Sequence, residues 1–349
     1  MGEDIILRFY REGDETQILD LFRLVFNKSK TIQEWRWEFL DGPYGPAYIL
    51  IAEDNGRIVG VNIGILNYFK IFEKESIAFL TVDVMVHPEY RSRRIYSRLY
   101  DWGEELARKR SENGQLIFTY GFIEETERYW HKKLSKNFLF PLQKYVKPLD
   151  NESLLDEVTG RKIIRTLLHP LSSMILRLVS NKERVRTESS SEFVEIREVT
   201  DDFSELFDEV SKDYNILLIR KKEYLNWRYL RKPGKDYGVF SLKKDGCLEG
   251  YIVLKTQGRT GFIVDILVGK EGDNMMLLLL EAEEYFRKNN VGRMVCYSSD
   301  KQIQRILKRN KFLRRSNLIV SINPIGGFPV ERIREPDRWH LTLGDTDII

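Results

Sequence analysis

Between Val82 and Trp102 the chain reads VDVMVHPEYRSRRIYSRLYDW: an acid among valines, a proline, four arginines, then an amphipathic stretch. Arg91, Arg93, Arg94 and Arg98 fall where a β-branched run gives way to helix-forming residues. A helix start leaves N–H groups without partners and carries partial positive charge, so anions settle there. Guanidinium groups beside it add fork-shaped donors that match phosphate oxygens. Phosphate is the guest this combination suits; the plainer alternative is a solvated basic helix start. Asp83 adds a second chemistry. A carboxylate among apolar strand residues is expected to titrate above its ordinary range and to serve as a base.

The elements that would position these residues occur twice. WEFLDGPYGPAYILIAEDNGRIVG, from Trp37, is echoed by WRYLRKPGKDYGVFSLKKDGCLEG, from Trp227. At a constant offset Trp37 matches Trp227, Leu40 matches Leu230 and Pro43 matches Pro233; Gly56 and Gly60 match Gly246 and Gly250. VDVMV (82–86) then returns as VDILV (264–268), and EELARKR (104–110) as EEYFRKN (283–289). Each copy reads as an amphipathic helix, the Trp segment, a hairpin with an Asn-Gly or Asp-Gly turn, a strand, a helix, a strand and a last helix. This predicts two related α/β domains, at 1–148 and 192–325. A helical connection and polar linker (149–191) joins them, and a tail (326–349) follows.

The chain has 349 residues, room for two domains of ordinary size. A net charge of +3, from 56 basic and 53 acidic residues, gives no argument for a nucleic-acid partner, so the arginine cluster needs a local cause. Cys247 and Cys296 are far apart and fit neither a zinc site nor a disulfide framework, which suits a reducing cytoplasm and no metal. The start, MGEDIILRFYREGD, lacks the features of a signal peptide. IIRTLLHPLSSMILRLV is interrupted by Arg165, Pro170 and Arg177, so no membrane span is expected. Oligomeric state is not legible.

VDVMVHPEYRSRRIYSRL resembles the acetyl-CoA-binding segment of the GCN5-related N-acetyltransferases, Arg/Gln-x-x-Gly-x-Gly/Ala preceded by a strand and Val-x-Pro-x-Tyr/Phe. Val86, Pro88, Tyr90, Arg91 and Leu99 fit that pattern. The two glycine positions hold Arg94 and Tyr96. Helical φ values do not demand glycine, so the amides there are still expected to face phosphate. The element order of both copies is similar to tandem members of the family. The resemblance implies a mixed α/β fold of two such domains, each a central mixed sheet flanked by helices. It also implies that Val84, Met85 and Val86 meet the pantetheine arm of acetyl-CoA, while Arg91, Ser92, Arg93, Arg94, Ile95, Tyr96 and Ser97 hold its phosphates. The second copy follows VDILV with GKEGDNMMLLLL and has no such cluster, so it is expected to brace the first.

In the resembling family an amine attacks the thioester, a base takes the ammonium proton, and an acid, often tyrosine, protonates the thiolate. Asp83 is the candidate base. Asp265 holds the matching place in a copy without the arginines, which points equally to a structural role. For the acid, ETERYWHKKLSKNFLF offers Tyr129 and His131, or Lys133 if Asn137-Phe138 ends the helix. The tail, with Trp339, Asp345 and Asp347, is expected to dock and present a carboxylate to a cationic amine, or else to cover a sheet edge. The implied activity is acetyl transfer from acetyl-CoA to a small-molecule primary amine. The alternatives are another acyl donor (aminoacyl-tRNA or a long acyl-CoA) and a non-catalytic acyl-CoA-binding protein.

Overall fold

A computed structural model of the chain describes residues 5–112, 116–124, 138–158, 191–234, 236–269, 273–325, 331 and 333–347. The first copy comprises β1 (Ile6–Phe9), α1 (Glu15–Phe26), α2 (Ile32–Phe39), β2 (Tyr48–Asp54), β3 (Arg57–Ile71), β4 (Lys74–Val86), α3 (Ile95–Glu112), β5 (Leu116–Glu124) and β6 (Phe138–Pro148). A short helix, α4 (Asn151–Val158), follows. The second copy runs through β7 (Ser191–Ile196), α5 (Asp201–Val210), β8 (Ile216–Leu218) and α6 (Lys222–Leu225), which continues into a π turn at Asn226–Leu230. It then continues with β9 (Tyr237–Lys244), β10 (Cys247–Gln257), β11 (Thr260–Val268), α7 (Asn274–Lys288), β12 (Arg293–Ser298), α8 (Lys301–Arg309) and β13 (Leu313–Pro324). The tail adds β14 (Trp339–His340). The last helix expected of the first copy lies outside the described residues.

Local chemistry explains the shared pieces. In the β2–β3 hairpin Asn55 and Gly56 take φ 48° and 80°, and in the β9–β10 hairpin Asp245 and Gly246 take 50° and 82°. Two successive left-handed residues make the type I′ turn that matches strand twist, hence Asn-Gly and Asp-Gly. Gly60 has a packing role: a Cβ there would sit 2.5 Å from Ile95 Cγ2, so its absence lets α3 lie close on β3. Helix α2 opens with a capping box in which Thr31 Oγ1 accepts from Glu34 N and Glu34 Oε2 accepts from Thr31 N, fixing the path of Lys30 before it.

The two copies share one sheet, in the order β1-β2-β3-β4-β5-β13-β6-β12-β11-β10-β9-β7. Matched strands appear in mirror order from either edge, except that the last strand of each copy has crossed to the other. Thus β5 pairs with β13, and β12 pairs with β6. The centre of the molecule is the antiparallel β6–β13 pair. On one face a continuous core joins the copies, including Trp37, Val61, Tyr120, Trp227, Tyr251 and Ile322. Helix α3 covers the first copy's other face over Leu50, Ala52 and Val59, and α7 covers the second's.

Where the copies meet, the repeat becomes a contact. Trp37 Nε1 donates to Trp227 O at 2.9 Å, and Trp227 Nε1 donates to Trp37 O at 2.9 Å. The rings stack at 5.3 Å with 28° between planes. Each indole satisfies a backbone carbonyl in a buried place, where an orphaned carbonyl costs about 1–3 kcal/mol. Trp37→Phe and Trp227→Phe are each expected to destabilise the chain by roughly that amount. The double variant should lose less than the sum, because each single change strips half of one reciprocal pair. Urea unfolding of the four proteins measures the coupling; strict additivity would mean that the two bonds act independently.

Candidate active site

Strand β4 carries the geometry. Its pairing with β3 extends to Gly60↔Val86, but the register slips between Val61 and Ile63. There Asp83 and Val84 together oppose the single residue Asn62, and Asp83 takes a left-handed φ of 45°. Such a bulge bends and twists the strand that bears it. On the other side, β4 runs parallel to β5 only from Ile77↔Leu116 to Leu80↔Tyr120. Strand β5 goes on pairing with β13 as far as Glu124↔Leu318. Residues 81–86 therefore leave β5, and their backbone groups on that side open into a gap within the sheet. A gap of this kind offers N–H and C=O groups to an extended guest, as a sheet edge does.

Beyond the gap His87 N donates to Val59 O, and Pro88–Arg93 form a 3-10 turn. Arg94 follows in a left-handed conformation (φ 59°, ψ 21°) before α3 begins. The expectation of helical φ values at the first glycine position is thus overturned. The backbone does take the conformation glycine favours, and Arg94 bears a strain of about 1–2 kcal/mol for its Cβ. Helix α3 has no acid in its first turn, so its positive end is not neutralised from within. Arg91 and Arg94 are exposed and have no ion-pair partner among the described residues. Arg93 is partly engaged, 3.8 Å from Asp54 and over the Tyr90 ring, and Tyr90 OH donates to Asp54. Arg98 donates to Ile5 O, tying the helix to the N-terminal segment.

The remaining predicted residues divide between lining and packing. Ser92 and Ser97 are exposed; Val84, Val86 and Tyr96 are half-buried. Met85 and Ile95 point into cores, so only their backbones are available to a guest. Tyr129 and His131 lie outside the described residues.

On the face opposite α3, Asp83 opens into a cleft of about 550 Å³ lined by Phe22, Lys30, Trp37, Glu38, Glu124, Arg228 and Asp347 among others. Lys30 Nζ bridges Glu38 at 2.5 Å and Asp83 at 3.3 Å. Burial pushes Asp83 up to about 7; Lys30 opposes that rise, while Glu38 and Asp347 reinforce it. Burial works against the charge on Lys30, yet Glu38 and Asp83 hold it above the ordinary lysine value. Asp347 is itself raised to about 6, by burial and by Glu38. Burial is the main cause of the rise at Asp83, and one ammonium shared among its carboxylate neighbours does not cancel it. Sequence reasoning found Asp83 and Asp347 but not Lys30 and Glu38, whose approach to β4 is a long-range contact with no local signature.

The matching place in the second copy is filled. The β11–β12 pairing ends at Ile263↔Cys296, again leaving the end of the strand without that neighbour. Here the tail enters. His340 Nε2 donates to Ile266 O, Leu341 N donates to Ser299 Oγ, and Ser299 Oγ donates to Trp339 O. Gly344 lies so near Val264 O and Tyr229 OH that a Cβ would not fit. Asp265, the counterpart of Asp83, is fully buried and accepts from Tyr229, Tyr251, Thr342 and Ile266 N. It pairs with Arg220 at 3.1 Å, and Arg220 also holds Asp345 of the tail at 2.6 Å. The same residue type serves as an anchor in one copy and faces an open cleft in the other.

Among the described residues there is no cluster of metal-ligating side chains, and no helix is long and apolar enough to cross a membrane. A profile of the acetyltransferase (GNAT) domain matches residues 7–128. No curated protein matches the sequence. Among solved structures, an Enterococcus faecalis protein described as a probable N-acyltransferase superposes with TM-score 0.63 at 10% identity, over 91% of this chain and 72% of its own. The Saccharomyces cerevisiae N-myristoyltransferase bound to myristoyl-CoA gives 0.60 at 10% identity, over 98% and 90%. A GCN5-related N-acetyltransferase from Kribbella flavida gives 0.58 at 11%, over 91% and 70%. Residues 7–128 thus match the acetyltransferase (GNAT) domain, and the chain as a whole shares its fold with these acyltransferases.

Proposed function

We propose that the chain transfers an acetyl group from acetyl-CoA to a primary amine of a small molecule in the cytoplasm, with the reaction in the first copy (1–148) and the second (192–325) as its brace. The observation that carries this reading is the gap between β4 and β5, open in the first copy beside Asp83, while its counterpart in the second copy is closed by the tail. The backbone of Val84, Met85 and Val86 would hold the pantetheine arm. The exposed Arg91 and Arg94, with the amides from Ser92 to Ser97 at the start of α3, would hold the phosphates.

Acetyl-CoA, when bound, supplies the activated acyl carbonyl. The chain's own part is to orient and deprotonate the amine. Asp83 accepts one proton from the ammonium, becoming a neutral carboxylic acid and leaving a free amine. Lys30 keeps a usable fraction of Asp83 ionised at neutral pH against the cost of burial. Tyr129 and His131 remain the sequence's candidates for protonating the leaving thiolate.

Calorimetric titration with acetyl-CoA tests the assignment of the loop. Arg91→Ala/Arg94→Gly removes both exposed guanidiniums while keeping a residue that tolerates the left-handed backbone. Binding at least tenfold weaker in this variant supports the reading; equal binding places the cofactor elsewhere, and no binding by the wild type removes acetyl-CoA as donor. Myristoyl-CoA belongs in the same titration, since the yeast structure that covers nearly all of this chain holds that longer donor.

The pH profile tests the base. Asp83 must be ionised to accept a proton, so the rate should rise with pH to a plateau through an apparent pKa of about 7. The charged groups that act on it most are Lys30, Glu38 and Asp347, and Arg228, Lys28, Glu34, Glu124 and Lys232 also line the cleft. Lys30→Met removes the group that favours the ionised form, so the profile should move to higher pH. Asp83→Asn should cost roughly 10²–10⁴-fold in rate, the usual contribution of a positioned base. A variant that keeps wild-type rate and profile would exclude Asp83 from proton transfer.

A further inference from the structure

The tail does more than fill the second copy's gap. Thr346 Oγ1 donates to Leu343 O, and Arg228 donates to Gly344 O and Thr346 O. Arg220 grips Asp345, whose carboxylate also accepts from Thr342 N. Asp347, two residues beyond Asp345, is therefore carried on a backbone that buried arginines of the second copy hold in place, and it emerges into the first copy's cleft. Its carboxylate has no ion-pair partner among the described residues.

Lys30 is shared between Glu38 and Asp83. The guanidinium of Arg228 is committed to tail carbonyls. Among the described residues, Glu38, Asp83 and Asp347 face Lys30 and Arg228, while Lys28 and Lys232 offset Glu34 and Glu124 on the other walls, so the lining is one positive charge short when all are ionised. Aromatic side chains of Phe22, Phe26 and Trp37 line the same cleft, a setting that suits a cation with an apolar body.

We infer that Asp347 is the specificity-determining residue of the acceptor site: it binds the acceptor as an alkylammonium ion and presents that ion to Asp83. The assignment rests on the acetyltransferase reading only for the name of the acceptor; the binding itself does not need a donor. Acceptors without a positive charge near the reacting nitrogen are excluded, because they would leave the carboxylates unbalanced in a partly buried place. The second copy, having no open gap of its own, contributes to the reaction by holding this carboxylate.

The experiment is an NMR titration of the full-length chain with n-butylammonium chloride, with tetramethylammonium chloride as an ion of equal charge that has no N–H to donate. Wild-type signals from Val82–Val84 and Thr346–Asp347 should shift with butylammonium and much less with tetramethylammonium. In Asp347→Asn the butylammonium response should weaken at least tenfold, with an unchanged melting temperature. An unperturbed wild-type cleft, or an equal response in the variant, overturns the assignment. In parallel, amines that are acetylated by the wild type should show at least a tenfold higher KM in Asp347→Asn, with the KM for acetyl-CoA unchanged. An amine KM that does not move also overturns it. Butylammonium binding without any acetyl transfer keeps Asp347 as the recognition group and discards acetyl-CoA as the donor, so the two readings fail separately.

Discussion

The exchange of last strands is the constraint on which the molecule depends. Had β6 stayed beside β5, and β13 beside β12, each copy would have been a closed unit joined to the other through a linker. Because each strand crosses, neither sheet is complete without the other copy. The β6–β13 pair then fuses them, and the Trp37–Trp227 bonds repeat the same reciprocity in the core beneath. A change at the junction is therefore felt on both sides, and the first copy's cleft has a wall, at Arg228, that belongs to the second.

Within that frame the two copies treat the same structural device differently. Each has a central strand that parts from its parallel neighbour after a few residues. Unpaired backbone inside a sheet must find partners in solvent, in a ligand or in another segment of chain. In the first copy no described segment fills the opening, and exposed arginines stand at its end. The second lays its own tail across the opening and buries Asp265 in a network with Arg220, Tyr229 and Tyr251. That network explains an aspartate at both positions without giving them one role. In the second copy two buried carboxylates, Asp265 and Asp345, share the buried Arg220 guanidinium and several hydrogen-bond donors, and such partners are what make buried charge tolerable.

Much of this was legible in the sequence, and the reasons are local. The hairpins announced themselves through Asn55-Gly56 and Asp245-Gly246, because only certain residues accept a type I′ turn. The strand ending at Val86, the break at Pro88 and the helix from Ile95 follow from pattern and proline chemistry. The strand exchange was not legible: β6 and β13 match each other, and periodicity cannot choose between two equivalent edges. Nor was the left-handed turn at Arg94, since an arginine in a basic run gives no sign of positive φ. Lys30 and Glu38 were missed because their meaning lies in a contact with Asp83, some fifty residues away. The tail's aromatic and acidic residues marked it as ordered, and the structure divides its two acids: Asp345 is consumed by Arg220, while Asp347 is left facing the cleft.

The division between those two acids shows what a filled gap can supply. A loop that carried Asp347 unaided would have to order its backbone at about 1–2 kcal/mol per residue each time a ligand called for it. Here the ordering is already achieved by contacts that have nothing to do with a ligand: Trp339 against Phe69, Phe118 and Phe140, His340 on Ile266, and Asp345 in the grip of Arg220. The carboxylate is thus held in place before anything binds, and binding need not repay that entropy. A second copy that retained an open gap would have no such anchor to offer. Closing one gap is, in this geometry, what anchors the other cleft's far wall.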